Sequence, residues 1–422
     1  MSGSVPADEE ARTENRRSLP VLLIYLQQFR GTGHRARMGR LAEVLARDFQ
    51  VVLLDGGPPQ PRWPHAPGIT AIPLTSLVRD GSGMVRPWED GVALPEALVQ
   101  RRDTLRQVVH RFRPRVLILE FYPFGRLNLA AEIELLIQEV RSCHSDALVL
   151  SSVRDILDTG FSDGVPDGMR SPAAIAARLH SLDGVLIHAD RALAEPEASL
   201  RLAGFAGLAL SGVPFDFTGF IGSVDSPPPA AAGQGTRRGT VLSMGGGIDG
   251  RPLAEGVLAT WPQLMAAPAA AFLQPLRVFT GPYLDRGDLE VVARRCADLQ
   301  VDCHAFSPDY RALLSHAALS ISRFGYNTCM DILQSGVPAV VVPAPTAVPN
   351  DQALRARQFA RLGRVAVSVD GGPAEILRAV EAALQGPRSF APWRLDGAER
   401  TADWIRGRLA GSMGPDGSAA SP

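Results

Sequence analysis

Residues able to do chemistry gather in a few short stretches of this sequence. Arg323, Asn327, Thr328 and Asp331 surround Gly325, and Asn350, Asp351 and Gln352 follow after an apolar run. Amide donors, carboxylate acceptors and an arginine beside a glycine suit a ligand carrying several hydroxyls and a phosphate. Gly245, Gly246 and Gly247 form a second stretch between an apolar run and a helical pattern. Free backbone amides at such a strand–loop–helix junction favour an anion. A third set is Gly31-Thr32-Gly33-His34 with Glu120, Arg154, Asp155 and His188. Each of those four later residues follows or closes an apolar run. Singly each reads as a cap or a solvated loop residue; at successive strand ends of one parallel sheet they read as the rim of a site.

These groups must be positioned by strands that end where the polar residues begin. Val21 to Leu26, Phe49 to Leu54, Val116 to Glu120, Ala147 to Ser151 and Asp183 to His188 are short apolar runs of the kind buried on both faces. Helical patterns alternate with them, including Met38, Leu41, Ala42 and Leu45, whose arginines are expected on the opposite face. GTGH is not a dinucleotide fingerprint, because Ala36 stands where its last glycine is needed, so Asp55 carries no ribose-binding role. Residues 58–95 are rich in proline and glycine and read as an irregular surface excursion beside the cleft. It is the one segment through which membrane contact is open.

The pattern breaks near Gly219 and restarts at Thr240-Val241-Leu242-Ser243-Met244. The strands of the second half are expected at Arg277 to Phe279, Val301 to Phe306, Ala317 to Ser322, Ala339 to Val342 and Val365 to Val369. Asn327 or Thr328 is expected to cap the helix ending at Ser335-Gly336. The expected organisation is a disordered arm (1–18), a first domain (19–221), a linker (222–238) and a second domain (239–387). A helix packing back (388–409) and a disordered tail (410–422) complete it. The fold class is α/β, two Rossmann-like doubly wound domains facing across a cleft.

Composition excludes several functions. The chain has 422 residues, 45% of them apolar, and a net charge of −1, which is no basis for a broad nucleic-acid field. All 43 basic residues are arginine, so a Walker lysine, a lysine Schiff base and pyridoxal phosphate chemistry are excluded. Cys143, Cys296, Cys303 and Cys329 form no Cys-x-x-Cys pair, and neither a disulfide framework nor a zinc site is expected. With no apolar signal core at the start and no run of bilayer length, a soluble cytoplasmic protein is expected.

Several motifs together carry a family resemblance: GTGHRARMGRLAEVLA, LEFYPFGR, SSVRDILD, SMGGG, and SRFGYNTCMDILQSGVPAVVVP followed by NDQALRA. Over roughly residues 20–385 the chain resembles GT-B glycosyltransferases of family 28, a group that includes the peptidoglycan N-acetylglucosaminyltransferase. It looks closest to a less characterised bacterial branch of that group. The resemblance implies an inverting transferase that takes a sugar from a nucleotide diphosphate, usually UDP, bound on the C-terminal domain. By position, Asp331 matches the acid that holds the ribose hydroxyls and Gln352 a glutamine on the sugar. Asp351 stands where the family has a second glutamine. Ser307 matches the base-reading segment, Gly325 to Thr328 the turn beneath the diphosphate and Gly245 to Gly247 the loop above it. Arg323 is a candidate counter-charge, and Tyr310, Tyr326 and Asn350 complete the donor-binding set. His34 matches the histidine of the family's glycine loop, one glycine shorter here. It is the expected base that deprotonates the acceptor hydroxyl, with Glu120 and Asp155 as competitors. No metal or other cofactor is expected, since amides, helix dipoles and arginine supply the counter-charge. The expected partners are a UDP-linked donor and a hydroxyl acceptor of open class. Nucleotide-sugar 2-epimerases and hydrolases share the architecture and form the alternative; a non-catalytic nucleotide-sugar-binding protein is a third possibility.

Overall fold

The computed structural model describes residues 19–29, 33–59, 67–80, 84–157, 165, 167–191, 203–222, 237–345, 350–386 and 393–412. The first half comprises Val21–Leu26 (β1), Gly33–Leu45 (α1), Gln50–Asp55 (β2), Ile69–Pro73 (β3), Leu77–Arg79 (β4) and Val85–Pro87 (β5). It continues through Leu94–Phe112 (α2), Val116–Glu120 (β6), Ala130–Cys143 (α3), Leu148–Arg154 (β7), Pro172–Leu179 (α4), Gly184–His188 (β8), Ala203–Ser211 (α5) and Phe215–Phe217 (β9). The second half begins with Thr240–Ser243 (β10), Arg251–Met265 (α6), Leu276–Phe279 (β11), Arg286–Asp298 (α7), Asp302–His304 (β12), Tyr310–His316 (α8) and Leu319–Ser322 (β13). Tyr326–Ser335 (α9), Ala339–Val341 (β14), Asp351–Arg361 (α10), Ala366–Val367 (β15), Pro373–Gln385 (α11) and Gly397–Ser412 (α12) complete it.

A seven-stranded sheet in the order β3-β2-β1-β6-β7-β8-β9 forms the first half and a six-stranded one, β12-β11-β10-β13-β14-β15, the second. Every neighbouring pair in both sheets is parallel. Helices must therefore cover both faces, and the strands read as continuous apolar runs: Leu22, Leu23, Ile24, Tyr25 and Leu26 are all fully buried. Strand order reverses between β1 and β6 and between β10 and β13. Crevices open there at the strand C-terminal ends, and those ends carry His34 and Glu120 in one domain and Gly245 and Arg323 in the other.

After Gly222 the chain crosses to the second sheet, and it returns beside its own exit. Phe220 N donates to Arg394 O at 2.7 Å and Gly397 N to Phe220 O at 2.9 Å. Helix α12 then lays Ala398, Ala402 and Ile405 into the core of the first domain beside Leu22, Ile24 and Leu41. Trp404 packs there so closely that a Cβ at Gly184 would lie 2.9 Å from its ring. Among the described residues no helix is long and apolar enough to cross a membrane.

Four local expectations are corrected. The stretch from 58 to 95 is not irregular throughout: β3 adds a parallel edge strand to the first sheet and β4 with β5 makes an antiparallel pair. The cap of α9 is Gly325, so Asn327 and Thr328 sit inside its first turn. The arginines of α1 do not all face solvent, since Arg35 and Arg37 are buried and ion-paired. Helix α12 runs on to Ser412, past the expected start of the tail at 410. The expected disordered arm, most of the linker (223–236) and residues 413–422 lie outside the described residues.

Candidate active site

His34 occupies the first turn of α1, directly after the β1 loop. Its Nδ1 meets Oε1 of Glu120, the last residue of β6, at 2.5 Å. Glu120 is fully buried, where an unpaired carboxylate would be costly. Arg37, one helical turn after His34, donates to Oε1 at 2.8 Å, and Arg126 donates to Oε2 at 2.8 Å. His34, Arg126 and Arg37 together hold Glu120 well below the usual carboxylate range despite its burial. The turn that delivers Arg126 places Phe121 and Arg126 in the left-handed region at φ 63° and 64°. This conformation is unfavourable for residues with a Cβ, and here it sets the Phe121 ring edge-on to His34 at 6.2 Å.

Burial pushes the His34 imidazole down to about 4, with Arg126 and Arg154 acting in the same direction and Glu120 opposing them. The ring is therefore neutral at pH 7. A neutral imidazole whose Nδ1–H donates to a carboxylate presents a lone pair at Nε2. Nε2 has no hydrogen-bond partner among the described residues. Glu120 has no such freedom, because its two oxygens serve three cations or donors. Asp155 is equally committed: Arg355 donates Nε to its Oδ2 at 2.6 Å and Nη2 to its Oδ1 at 2.8 Å. Of the three expected base candidates, His34 has a ring nitrogen that no described residue hydrogen-bonds, whereas every carboxylate oxygen of Glu120 and Asp155 is held in an ion pair. His188 is not on the rim; it is fully buried between Ser152 Oγ and Thr218 Oγ1, each at 2.8 Å.

Across the cleft, Gly245 and Gly247 have φ of 64° and 97°, which favours glycine. A Cβ on Gly247 would strike Thr280 O at 2.6 Å, whereas one on Gly245 or Gly325 would meet nothing within 4 Å. Gly246 lies between them, its carbonyl accepting from Tyr283 N at 3.0 Å. Open space thus lies before both turns, and the N-termini of α6 and α9 follow them. Arg323 is committed to backbone carbonyls. It donates to Val342 O, Pro343 O and Asp249 O at 3.1, 3.0 and 2.7 Å. Gln352 Oε1 accepts from Phe324 N and Ala344 N, both at 3.3 Å, tying the two strand-end turns together. Asn350 caps α10 by accepting from Ala353 N at 3.0 Å. Tyr310 meets Phe279 edge-on at 5.3 Å, near Ser243 and Asp331. Ser307 Oγ accepts from Asp309 N at 3.1 Å in an open segment where Phe306 is 65% exposed.

The two domains meet through the same residues. Asn327 Nδ2 donates to Gly33 O at 2.8 Å, next to His34. Arg40 Nη2, on α1, donates to Asp331 Oδ1 at 3.2 Å. Asp351 Oδ2 pairs with Arg154 at 3.3 Å and with Arg355 at 3.2 Å. Thr328 is half-buried on the first turn of α9 beside them. Tyr326 turns the other way: its hydroxyl accepts from Ile221 N at 2.9 Å and donates to His188 O at 3.1 Å, so it braces the domain junction. Arg37, Arg40, Arg126, Arg355 and Phe306 were not singled out from the sequence. For Arg37 the spacing of three from His34 carried the signal, because i and i+3 share a helix face.

The glycosyltransferase family 28 C-terminal domain matches residues 240–372. A curated relative is a UDP-N-acetylglucosamine--N-acetylmuramyl-(pentapeptide) pyrophosphoryl-undecaprenol N-acetylglucosamine transferase of Pseudomonas fluorescens (strain Pf0-1). It is 26% identical over 251 residues, which are 57% of this chain and 65% of the relative. The chain thus spans less than two thirds of that relative's length. Among solved structures, Acinetobacter baumannii MurG aligns with a TM-score of 0.52 at 16% identity, over 92% of this chain and 100% of the other. The UDP-GlcNAc 2-epimerase of Methanocaldococcus jannaschii aligns with a TM-score of 0.55 at 10% identity, over 92% of this chain and 99% of the other. At such identities these likenesses show a shared fold. The chain has the GT-B fold, and its residues 240–372 match the glycosyltransferase family 28 C-terminal domain.

Proposed function

We propose that this protein is an inverting glycosyltransferase that moves a sugar from a UDP-sugar, in the first instance UDP-N-acetylglucosamine, to an acceptor hydroxyl. One observation carries the reading. The His34–Glu120 pair of the first domain, its carboxylate fully buried, abuts the family 28 turn of the second through the Asn327–Gly33 contact. The acceptor hydroxyl gives its proton to His34 Nε2 while its oxygen attacks the anomeric carbon from the side opposite the diphosphate. The sugar–phosphate bond breaks, and the nucleoside diphosphate leaves with the electron pair. Glu120, kept ionised by Arg37 and Arg126, stabilises the imidazolium that forms. Amides of the turns at Gly245–Gly247 and Gly325, with the N-termini of α6 and α9, meet the charge of the diphosphate. Asp331 takes the ribose hydroxyls, and Gln352 directs its remaining amide group to the sugar. The proposal includes no metal, and EDTA is expected to leave turnover intact.

The test has two steps. Thermal unfolding with UDP, TDP, GDP and ADP is expected to show selective stabilisation by UDP, because a ligand that binds only the folded state raises its stability. Asp331→Ala is expected to abolish that response. Incubation with UDP-N-acetylglucosamine alone should then leave the donor intact. Loss of donor without acceptor would replace transfer by epimerisation or hydrolysis. No response to any nucleotide would overturn the reading.

A further inference from the structure

We infer that Cys296 and Cys303 form a reversible dithiol–disulfide pair, a modification site on the second domain separate from the groups assigned to transfer. Cys296 lies in the last turn of α7. The chain then folds straight back, with Leu299 N donating to Arg295 O at 3.3 Å and Val301 N to Cys296 O at 2.9 Å. The edge strand β12 follows at once, and Cys303 stands in register with Val278 of β11. Neighbours in parallel register share a sheet face. Val278 and Cys296 belong to one buried apolar cluster, and Cys303 packs against it. His304, the next residue, lies on the opposite face beside Phe279, at 5.7 Å between rings. The turn and the register thus bring the two thiols to one face of the sheet edge, near enough for each to shift the other's acidity.

Their surroundings give the two sulfurs different roles. Cys296 is 1% exposed, while Cys303 is half-buried and can be reached from solvent. The neighbouring Cys296 draws the Cys303 thiol down to about 7 against its burial; Cys296 is pushed up. A reachable thiolate beside a buried partner is the arrangement in which one sulfur attacks and the other resolves. The oxidant is a low-molecular-weight disulfide. The Cys303 thiolate attacks one of its sulfurs, forming a mixed disulfide and expelling one small thiolate. Cys296 then attacks Cys303 Sγ, the Cys296–Cys303 bond forms, and the second small thiolate leaves, taking up the proton from Cys296. Two protein thiols are oxidised and one small disulfide is reduced to two thiols. The bond would tie α7 to β12 immediately before Ala305, whose carbonyl accepts from Gly281 N at 3.2 Å.

The sequence makes the test direct, because cleavage after arginine leaves both cysteines on one peptide, 296–311. The full-length protein is treated with oxidised glutathione at doses that modify the half-buried Cys143. It is then alkylated, digested and weighed. The expected peptide is lighter by two hydrogens, bears no glutathione, and recovers both alkylatable thiols after reduction. Cys296→Ser is expected to trap glutathione on Cys303, and Cys303→Ser to leave Cys296 unmodified. A stable glutathione adduct on wild-type Cys303 would overturn the inference. So would two free thiols in that peptide when Cys143 is fully modified.

Discussion

Asp155 and Arg355 stand 200 residues apart in the chain and meet in a two-point ion pair across the domain boundary, at 2.6 and 2.8 Å. Arg355 is fully buried and also donates to Phe324 O at 2.8 Å and to Asp351 at 3.2 Å, so one guanidinium joins the first domain to the turn of the second. Arg154 closes the group from the first domain through its own contact with Asp351. Without Asp155, the buried Arg355 keeps only Asp351, a carboxylate it already shares with Arg154. Asp155→Ala is therefore expected to cost up to about 3 kcal/mol, the lower end for a broken buried pair, measured as a lower denaturant midpoint. The double variant Asp155→Ala/Arg355→Met should recover much of that loss, since it leaves no buried charge unpaired. Equal losses in the single and double variants would show that the pair does not act as a unit.

The histidine gives a kinetic prediction. His34→Ala should lower turnover by roughly 100- to 10,000-fold, the range general-base groups supply, with nucleotide binding unchanged. Because burial holds the imidazole neutral down to about 4, the acid limb of kcat/KM should lie near pH 4 and not near 6.5. Glu120→Gln removes the charge that opposes this depression. It should reduce turnover while moving the limb lower still. A wild-type limb near 6.5 would show that the ring is solvated during turnover.

Much of this arrangement was legible in the sequence, and the remainder was not for identifiable reasons. Strands β1, β6, β10 and β13 announce themselves as apolar runs that stop where polar residues start, because a parallel sheet buried on both faces allows little else. The glycine turn and His34 were legible for the same reason: they sit at those strand ends. The arginines of α1 were not. Helical periodicity assigns charge to the solvent side, whereas Arg35 and Arg37 find Asp55 and Glu120, residues distant in the chain. Asp351 and Asn350 look like ligand groups in sequence. Their partners, Arg154 and Arg355 for one and the amide of Ala353 for the other, appear only in three dimensions. Strand β3 was hidden in proline- and glycine-rich sequence, and it exists because β2 offers it an edge.

Arg40 and Asp331 lead to a prediction about nucleotide affinity. In this structure the carboxylate proposed to hold the ribose is hydrogen-bonded by an arginine of the other domain at 3.2 Å, with both side chains largely buried. A ribose that engages both carboxylate oxygens must displace that contact. Arg40→Ala should therefore tighten UDP binding a few-fold, and Asp331→Asn should weaken it by about tenfold or more, the loss of a charged hydrogen-bond acceptor. Titration calorimetry distinguishes the two. Weaker binding in Arg40→Ala would make Arg40 a contact of the donor itself.

Stability should depend on pH through His34 and His188. His34 is pushed down to about 4, and burial with Arg37 nearby holds His188 well below its ordinary value. Both are neutral in the folded protein at pH 7, while in the unfolded chain they take up protons near 6.5. Below that point the unfolded state binds more protons, so stability falls as the pH drops, for His34 until about 4 is reached. Glu120 acts in the same direction: its carboxylate is held well below the usual range, so the stability it gives above about 4.3 is lost on further acidification. His34 alone corresponds to roughly 3 kcal/mol between pH 7 and pH 4. Tm should therefore decline steadily from pH 7 to pH 4.5, and His34→Gln should flatten the decline without raising Tm at pH 7. An unchanged slope in that variant would mean that His34 is already exposed enough to protonate in the folded protein, and with it the neutral base would fall.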